Sequence, residues 1–209
     1  DLHSFPTRRS SDLEPALLPL YEALGRSTRI RHVLARHEQA AGFMAQGMSR
    51  ITGKAGVCFA TSGPGVTNVV TALADAKLDS IPLVCIAGQV PQHLIGTDAF
   101  QEVPTIDIVK PITKASFFVR CADELWQVIP EAFRLAETGR PGPVLVDVPK
   151  DVQMQMTKAP SPHRALTGTS QPKNGDCASA YNQAAQLIAA AERPVLYVGG
   201  PVLDRKSVV

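Results

Sequence analysis

Residues 56–76 read GVCFATSGPGVTNVVTALADA, and this stretch carries the fold. Gly56 to Ala60 is a compact apolar run of strand length, ended by Ser62-Gly63-Pro64-Gly65. Val66 to Ala76 then has helical spacing, with small residues along one side. A strand apolar throughout, feeding through a glycine turn into a helix, is the unit of a parallel sheet covered on both faces.

The same alternation extends in both directions. Upstream, Pro15 to Leu24 has helical spacing and Ile30 to Leu34 is a short apolar run. Glu38 to Ile51 reads as a helix, with Ala40, Ala41, Met44 and Met48 recurring at helical intervals. Downstream, Ile81 to Ala87 is a second buried strand closed by Gly88. Residues 89–116 are less regular, broken by Pro91, Gly96, Pro104 and Pro111. Leu125 to Ala136 is helical, and the rigid turn Gly139 to Pro143 leads into a strand at Val144 to Val148. The expected class is α/β, a parallel sheet flanked by helices.

From Met156 to about Asp176 the chain turns rich in Pro, Ser, Thr and Gly, which is linker chemistry. Ala178 to Ala191 reads as helix and Pro194 to Val198 as strand, followed by Gly199-Gly200-Pro201. The expected organisation is therefore a domain at 14–155, a linker at 156–176 and the truncated start of a second, Rossmann-like α/β domain at 177–203.

Both ends differ in texture, and back-translation offers a reason. The codons GAT CGG AAG AGC GTC GTG, followed by the stop TAG, encode Asp204 to Val209. The opposite strand, CTACACGACGCTCTTCCGATC, encodes Thr7-Arg8-Arg9-Ser10-Ser11-Asp12 in the frame that begins at its third base. One short DNA resembling a common sequencing adapter thus accounts for both ends. Residues 1–13 and 204–209 are expected to be adapter scars, and they carry no weight in reading the fold.

Composition narrows the class. Of 209 residues, 44% are hydrophobic and 19% charged, ordinary for a globular protein able to bury a core without disulfides or metals. The net charge of +2 comes from scattered Lys and Arg, which is no nucleic-acid footprint. No stretch is long enough to span a membrane. Cys58, Cys85, Cys121 and Cys177 share no pairing or metal motif, and read as reduced thiols in a cytoplasmic protein.

Two places could carry chemistry. Ser62-Gly63-Pro64-Gly65 lets a backbone approach a ligand, and the helix behind it offers free amides to an anion. It lacks the Lys-Ser/Thr ending of a nucleotide P-loop, and by itself fits a tight turn as well as a cofactor contact. Glu38 opens a helix; it fits a solvated carboxylate at the positive end of the helix dipole, or a carboxylate placed to bond a cofactor nitrogen. His37 lacks a metal-spaced partner and reads as a helix-start residue. Gly199-Gly200 is a weak sign of a dinucleotide crevice, and no Ser stands in a nucleophile elbow.

Five blocks together resemble the large, catalytic subunit of acetolactate (acetohydroxyacid) synthase: RHEQAAGFMAQG (36–47), TSGPGVTN (61–68), LADAKLDSIPLV (73–84), GQVPQHLIGTDAFQE (88–102) and GRPGPVLVDVPKDVQ (139–153). The first two are widespread among thiamine-diphosphate decarboxylases and carboligases; the 88–102 block is more particular to acetolactate synthases. The resemblance implies a pyrimidine-binding domain, in which Glu38 hydrogen-bonds the cofactor's aminopyrimidine ring and so promotes loss of the thiazolium proton. Pyruvate is then decarboxylated on the cofactor, and the remaining two-carbon unit joins a second 2-keto acid, pyruvate or 2-ketobutyrate.

By the same analogy Gln101 lies near the reacting groups, Phe100 shapes their pocket and Gly65 faces the cofactor. Arg140 matches a contact to FAD, bound for structure. Pro91 and Lys150 match the mouth of the substrate channel. Mg2+ and the diphosphate would be held by a later domain with a Gly-Asp-Gly…Asn motif that this sequence lacks. The site would form between two subunits of a homodimer or tetramer, and a small regulatory subunit is a further expected partner. The chain alone is expected to be inactive. Val66 replaces a commoner Ala and Ala115 a commoner His; both are expected to tune access.

Four other readings compete. A pyruvate oxidase is disfavoured by the 88–102 block, and a glyoxylate carboligase by the presence of Glu38. An inactive binding paralogue would be signalled by loss of Glu38 or Gln101, and both are present. A plain nucleotide-binding Rossmann protein should show Gly-x-Gly-x-x-Gly after its first strand, and none is found.

Overall fold

The structure, a computed structural model, describes residues 16–158 and 178–195. Both adapter-like ends, most of the 156–176 stretch, Cys177, and the Pro194 to Val198 strand beyond Val195 lie outside those residues. The chain divides into two compact units, Asp1–Ala165 and Leu166–Val209. In the second, the described element is the helix Ala178–Ala190, close to the span its sequence predicts.

In the first unit the elements run α1 (Leu18–Arg26), α2 (Glu38–Thr52), β1 (Gly56–Ala60), α3 (Pro64–Leu78), β2 (Leu83–Gln89), α4 (Thr105–Val109), β3 (Ala115–Phe118), α5 (Leu125–Glu137), β4 (Pro143–Pro149) and α6 (Lys150–Gln153). The strands form one parallel sheet in the order β1-β2-β4-β3. The central strands β2 and β4 are the most buried, and apolar residues fill them except at Gln89 and Asp147.

Alternate residues of each strand serve opposite faces. Leu83, Cys85, Ala87 and Leu145 meet Ala45 of α2 and Val66, Val69, Ala72, Leu73 and Ala76 of α3. Val84, Val144, Val146 and Val148 meet Ala132 and Ala136 of α5 and Val152 of α6. Cys58 and Cys85 stand side by side in the β1–β2 register as buried free thiols. The hydrogen bond to Cys58, with burial, pushes the Cys85 thiol well above its ordinary value, so it packs as an inert small side chain.

Helix α2 is capped at both ends by its own sequence. His37 Nδ1 accepts from Gln39 N at 3.2 Å, and Gly53 closes the helix at φ 68°. Small residues then let α2 sit directly on its neighbours. A Cβ on Gly42 would lie 2.5 Å from the Ala72 Cβ, and one on Gly56 2.2 Å from the Ala45 carbonyl oxygen. Ser49 Oγ seals the second contact, donating to Pro82 O and accepting from Gly56 N. Gly56→Ala drives a methyl into backbone that cannot yield, and should destabilise the chain by about 1–3 kcal/mol. Urea unfolding followed by the single tryptophan, Trp126, measures this; an unchanged midpoint would refute the close α2–β1 approach.

Four features add to the sequence reading or depart from it. The 89–116 stretch holds a short helix, α4, and runs into an edge strand, β3. Met44 and Met48, with Phe43 and Ile51, lie on an exposed face of α2; its buried face is made of Gly42, Ala45, Gln46 and Ser49. Val66, in the first turn of α3, is fully buried in the core, so its extra methyls pack inward, away from any access route. Ile30, Val33 and Leu34 are exposed and form no strand.

Candidate functional site

In a parallel sheet the loops leaving the carboxyl ends of the strands gather along one edge, where ligands of open α/β folds bind. Here that edge carries the loop after β1 (61–65), the long strap after β2 (90–104) and the start of α6 after β4. The register pairs Ala60 with Ala87 and Gln89 with Pro149, which brings all three loops to one edge.

Glu38 reaches this edge from the first turn of α2. Its Oε2 accepts from Asn68 Nδ2 at 3.0 Å. Its Oε1 has no donor among the described residues and lies beside Gly65, where an added Cβ would stand 3.4 Å away. A Cβ at Gly65 would also press within 2.7 Å of Thr61 Cγ2. Gly65 therefore keeps open the space in front of one carboxylate oxygen, while Asn68 fixes the other.

Gln101 comes to the same loop from the strap. Its backbone takes the left-handed conformation, φ 61°, which strains a residue with a side chain. Gly63 accepts the approach: a Cβ there would fall 2.6 Å from the Gln101 carbonyl oxygen, and Gly63 itself has φ 60°. Thr61 Oγ1 and Gln101 Oε1 are buried with no hydrogen-bond partner among the described residues. Two orphaned polar atoms beside an open carboxylate are a costly arrangement for an idle surface. Together they fit a flat, nitrogen-rich ring such as an aminopyrimidine.

The strap is tied at several points. Gln92 donates from its backbone N to Asp151 Oδ1 and from Nε2 to Asp151 Oδ2, both at 3.1 Å. This tie brings Pro91 and Lys150 close together at the same edge. The Glu102 carboxylate accepts from the backbone N–H groups of Gly96 and Ala99. Those donors, Gly96 first, outweigh burial and hold its carboxyl below the usual range. Phe100, at the tip, is 83% exposed.

Arg140 is elsewhere. It precedes β4, at the opposite edge of the sheet, and its guanidinium donates to Ser80 Oγ at 2.9 Å and to the Leu78 carbonyl at 3.2 Å. The structure thus brings Glu38, Gly65 and Gln101 together, adds Pro91 and Lys150 on the same edge, and separates Arg140 from them.

Residues 14–110 match the family described as "Thiamine pyrophosphate enzyme, N-terminal TPP binding domain". This segment belongs to the thiamine pyrophosphate enzymes. The chain is 55% identical over 189 residues to the acetolactate synthase isozyme 1 large subunit of Escherichia coli, covering 90% of this chain and 33% of that protein. It is 52% identical to the acetolactate synthase large subunit of Corynebacterium glutamicum, over 90% of this chain and 30% of that protein. It is 50% identical to the chloroplastic acetolactate synthase of Arabidopsis thaliana, over 90% and 28% respectively. The chain therefore spans about a third of the length of the curated relatives it matches.

Within this TPP-binding domain, sequence reading missed Asn68 and Thr61 as side chains of the site. Both stood in the 61–68 block, but the Asn68–Glu38 bond joins residues 30 positions apart and has no local signature. It also missed Asp147. This residue is 1% exposed on β4, and its Oδ2 accepts from Gln89 Nε2 at 3.2 Å. Burial pushes its carboxyl up to about 7, against the lowering effect of Gln89 and Thr105.

Proposed function

We propose that this chain forms the pyrimidine-binding part of an acetolactate synthase, which joins the two-carbon unit of decarboxylated pyruvate to a second 2-keto acid in branched-chain amino acid biosynthesis. The observation that carries the reading is the Glu38 carboxylate, fixed on one oxygen by Asn68 and open on the other toward Gly65. Thiamine diphosphate, when bound, supplies the electron sink that makes loss of CO2 from a 2-keto acid possible. Glu38 then holds a proton at a ring nitrogen of the pyrimidine. Gln101 offers its free amide oxygen at the substrate end, and the exposed Phe100 closes over it. Pro91 and Lys150, tied through Gln92 and Asp151, form the rim by which a keto acid enters, with the ammonium of Lys150 attracting its carboxylate.

The remaining parts of the proposal reach beyond this chain. A later domain supplies Mg2+ and the diphosphate contacts, and the site is completed between two subunits of a homodimer or tetramer. Arg140, at the far edge of the sheet, serves a structural FAD. A small regulatory subunit and a cytoplasmic location complete the proposal. The domain occupies 14–155, the linker 156–176 and the start of the next domain 177–203, with adapter-derived residues at 1–13 and 204–209.

Long-read sequencing across both ends of the source DNA, then expression of the full reading frame, tests this. The expected result is a frame running into a Gly-Asp-Gly…Asn motif, and acetolactate formed from pyruvate only with thiamine diphosphate and Mg2+. A frame that stops after Val209, or pyruvate consumption with oxygen uptake and no acetolactate, would sink it.

A further inference from the structure

The strap that carries Gln101 rests on a buried polar link that no assigned role uses. Gln89, the last residue of β2, is 3% exposed. Its Nε2 lies 3.2 Å from Val103 O, 3.1 Å from Thr105 Oγ1 and 3.2 Å from Asp147 Oδ2, and its Oε1 accepts from Val90 N at 2.9 Å. Two of these partners, Val103 and Thr105, follow Gln101 by two and four residues. Asp147 stands on β4, the strand beside β2, on the face shared with Leu145. The sheet interior is thus joined to the strap through the Gln89 amide and through the direct bond of Thr105 to Asp147.

The strap needs such an anchor. Asp98 and Gln101 are both held at positive φ, 56° and 61°, and such conformations persist only where surroundings impose them. The Glu102 carboxylate closes the tip of the strap upon itself, and Gln92 ties its start to Asp151. Neither contact fixes the return of the strap to the sheet. Val103 and Thr105 do, through Gln89.

We infer that Asp147 is a positioning residue for Gln101: through Gln89 it fixes the 101–105 backbone, and so the placement of the Gln101 amide at the substrate end of the site. Asp147 touches neither Glu38 nor Gly65, so cofactor binding should be indifferent to it. This rests on the function proposed above, and it deepens that reading by assigning a residue to the substrate half of the site.

The test compares Asp147→Val, which removes the acceptor, with Asp147→Asn, which keeps one. In the full-length enzyme, Asp147→Val should lower kcat/KM for pyruvate about tenfold or more, while the Kd for thiamine diphosphate stays within twofold. Asp147→Asn should restore kcat/KM. A second readout needs no activity. In the 209-residue chain, chymotrypsin should cut after Phe100 several times faster in Asp147→Val than in wild type or Asp147→Asn. If Asp147→Val loses its cooperative Trp126 unfolding transition, Gln89→Met breaks the same link from the other side and takes its place. Equal losses in kcat/KM and cofactor affinity would mean a general structural role and overturn the inference, as would unchanged cleavage after Phe100. A wild-type enzyme that makes no acetolactate defeats the functional reading instead, and leaves the cleavage comparison to decide the role of Asp147.

Discussion

Glu38→Gln in the full-length enzyme should lower turnover by about two to three orders of magnitude, the range of a lost proton-transfer group. The geometry makes the substitution clean. Gln keeps the shape of Glu, and its carbonyl oxygen can still accept from Asn68 Nδ2, now 3.0 Å from Oε2. What disappears is the second carboxylate oxygen, the one beside Gly65 with no donor among the described residues. Helix α2 keeps its His37 cap, so the melting temperature should stay close to wild type. The loss should persist at saturating thiamine diphosphate, which separates cofactor activation from cofactor binding. Steady-state acetolactate formation measures it, and turnover close to wild type would remove Glu38 from its assigned role.

The second large effect concerns stability. Asp147 carries a carboxyl whose ordinary value is 3.8, pushed up to about 7 in the folded chain. Between those values the folded state binds a proton that the unfolded state has released, so stability falls as pH rises through this window and levels off above it. At 1.36 kcal/mol per pH unit the accumulated difference approaches about 4 kcal/mol. Asp147→Asn cannot ionise and lacks that slope. It should be more stable than wild type by about 2–4 kcal/mol at pH 8, with most of the gap gone by pH 5. Urea titrations of the chain at both pH values, read by Trp126 fluorescence, check this. Parallel stabilities at the two pH values would show that Asp147 ionises as freely when folded as when unfolded.

Both expectations rest on features of unequal visibility. Glu38 was open to two readings from its position, a helix-dipole carboxylate or a cofactor ligand, and it took the blocks around it to favour the second. The tertiary structure supplied the deciding detail, that one oxygen is held by Asn68 and the other left open. Asp147 stood in view within the strand reading VLVDVP, yet the sequence could not show which way it faced or what met it. An apolar run on a doubly covered strand hides its own parity, since both faces are buried.

The sequence by itself determined the alternation of strand and helix, the glycine turn before α3 and the all-parallel class, because strands buried on both faces must be mostly apolar and tight turns need glycine. It did not reveal β3, whose four residues are only partly buried at an edge, or α4, enclosed between Pro104 and Pro111. It set Met44 and Met48 at helical spacing in α2 but did not show which side of the helix is packed. The structure buries Gly42, Ala45, Gln46 and Ser49 on that side and exposes Met44 and Met48: the close backbone approach selects small residues, and the one long side chain, Gln46, is held by its bond to the Ala72 carbonyl. The union of Glu38, Gly65 and Gln101, the exile of Arg140 to the far edge, and the Asp147–Gln89 link were decided only by tertiary structure. Each depends on contacts between segments distant in the chain, and such contacts leave no period or spacing in a sequence for local physics to read.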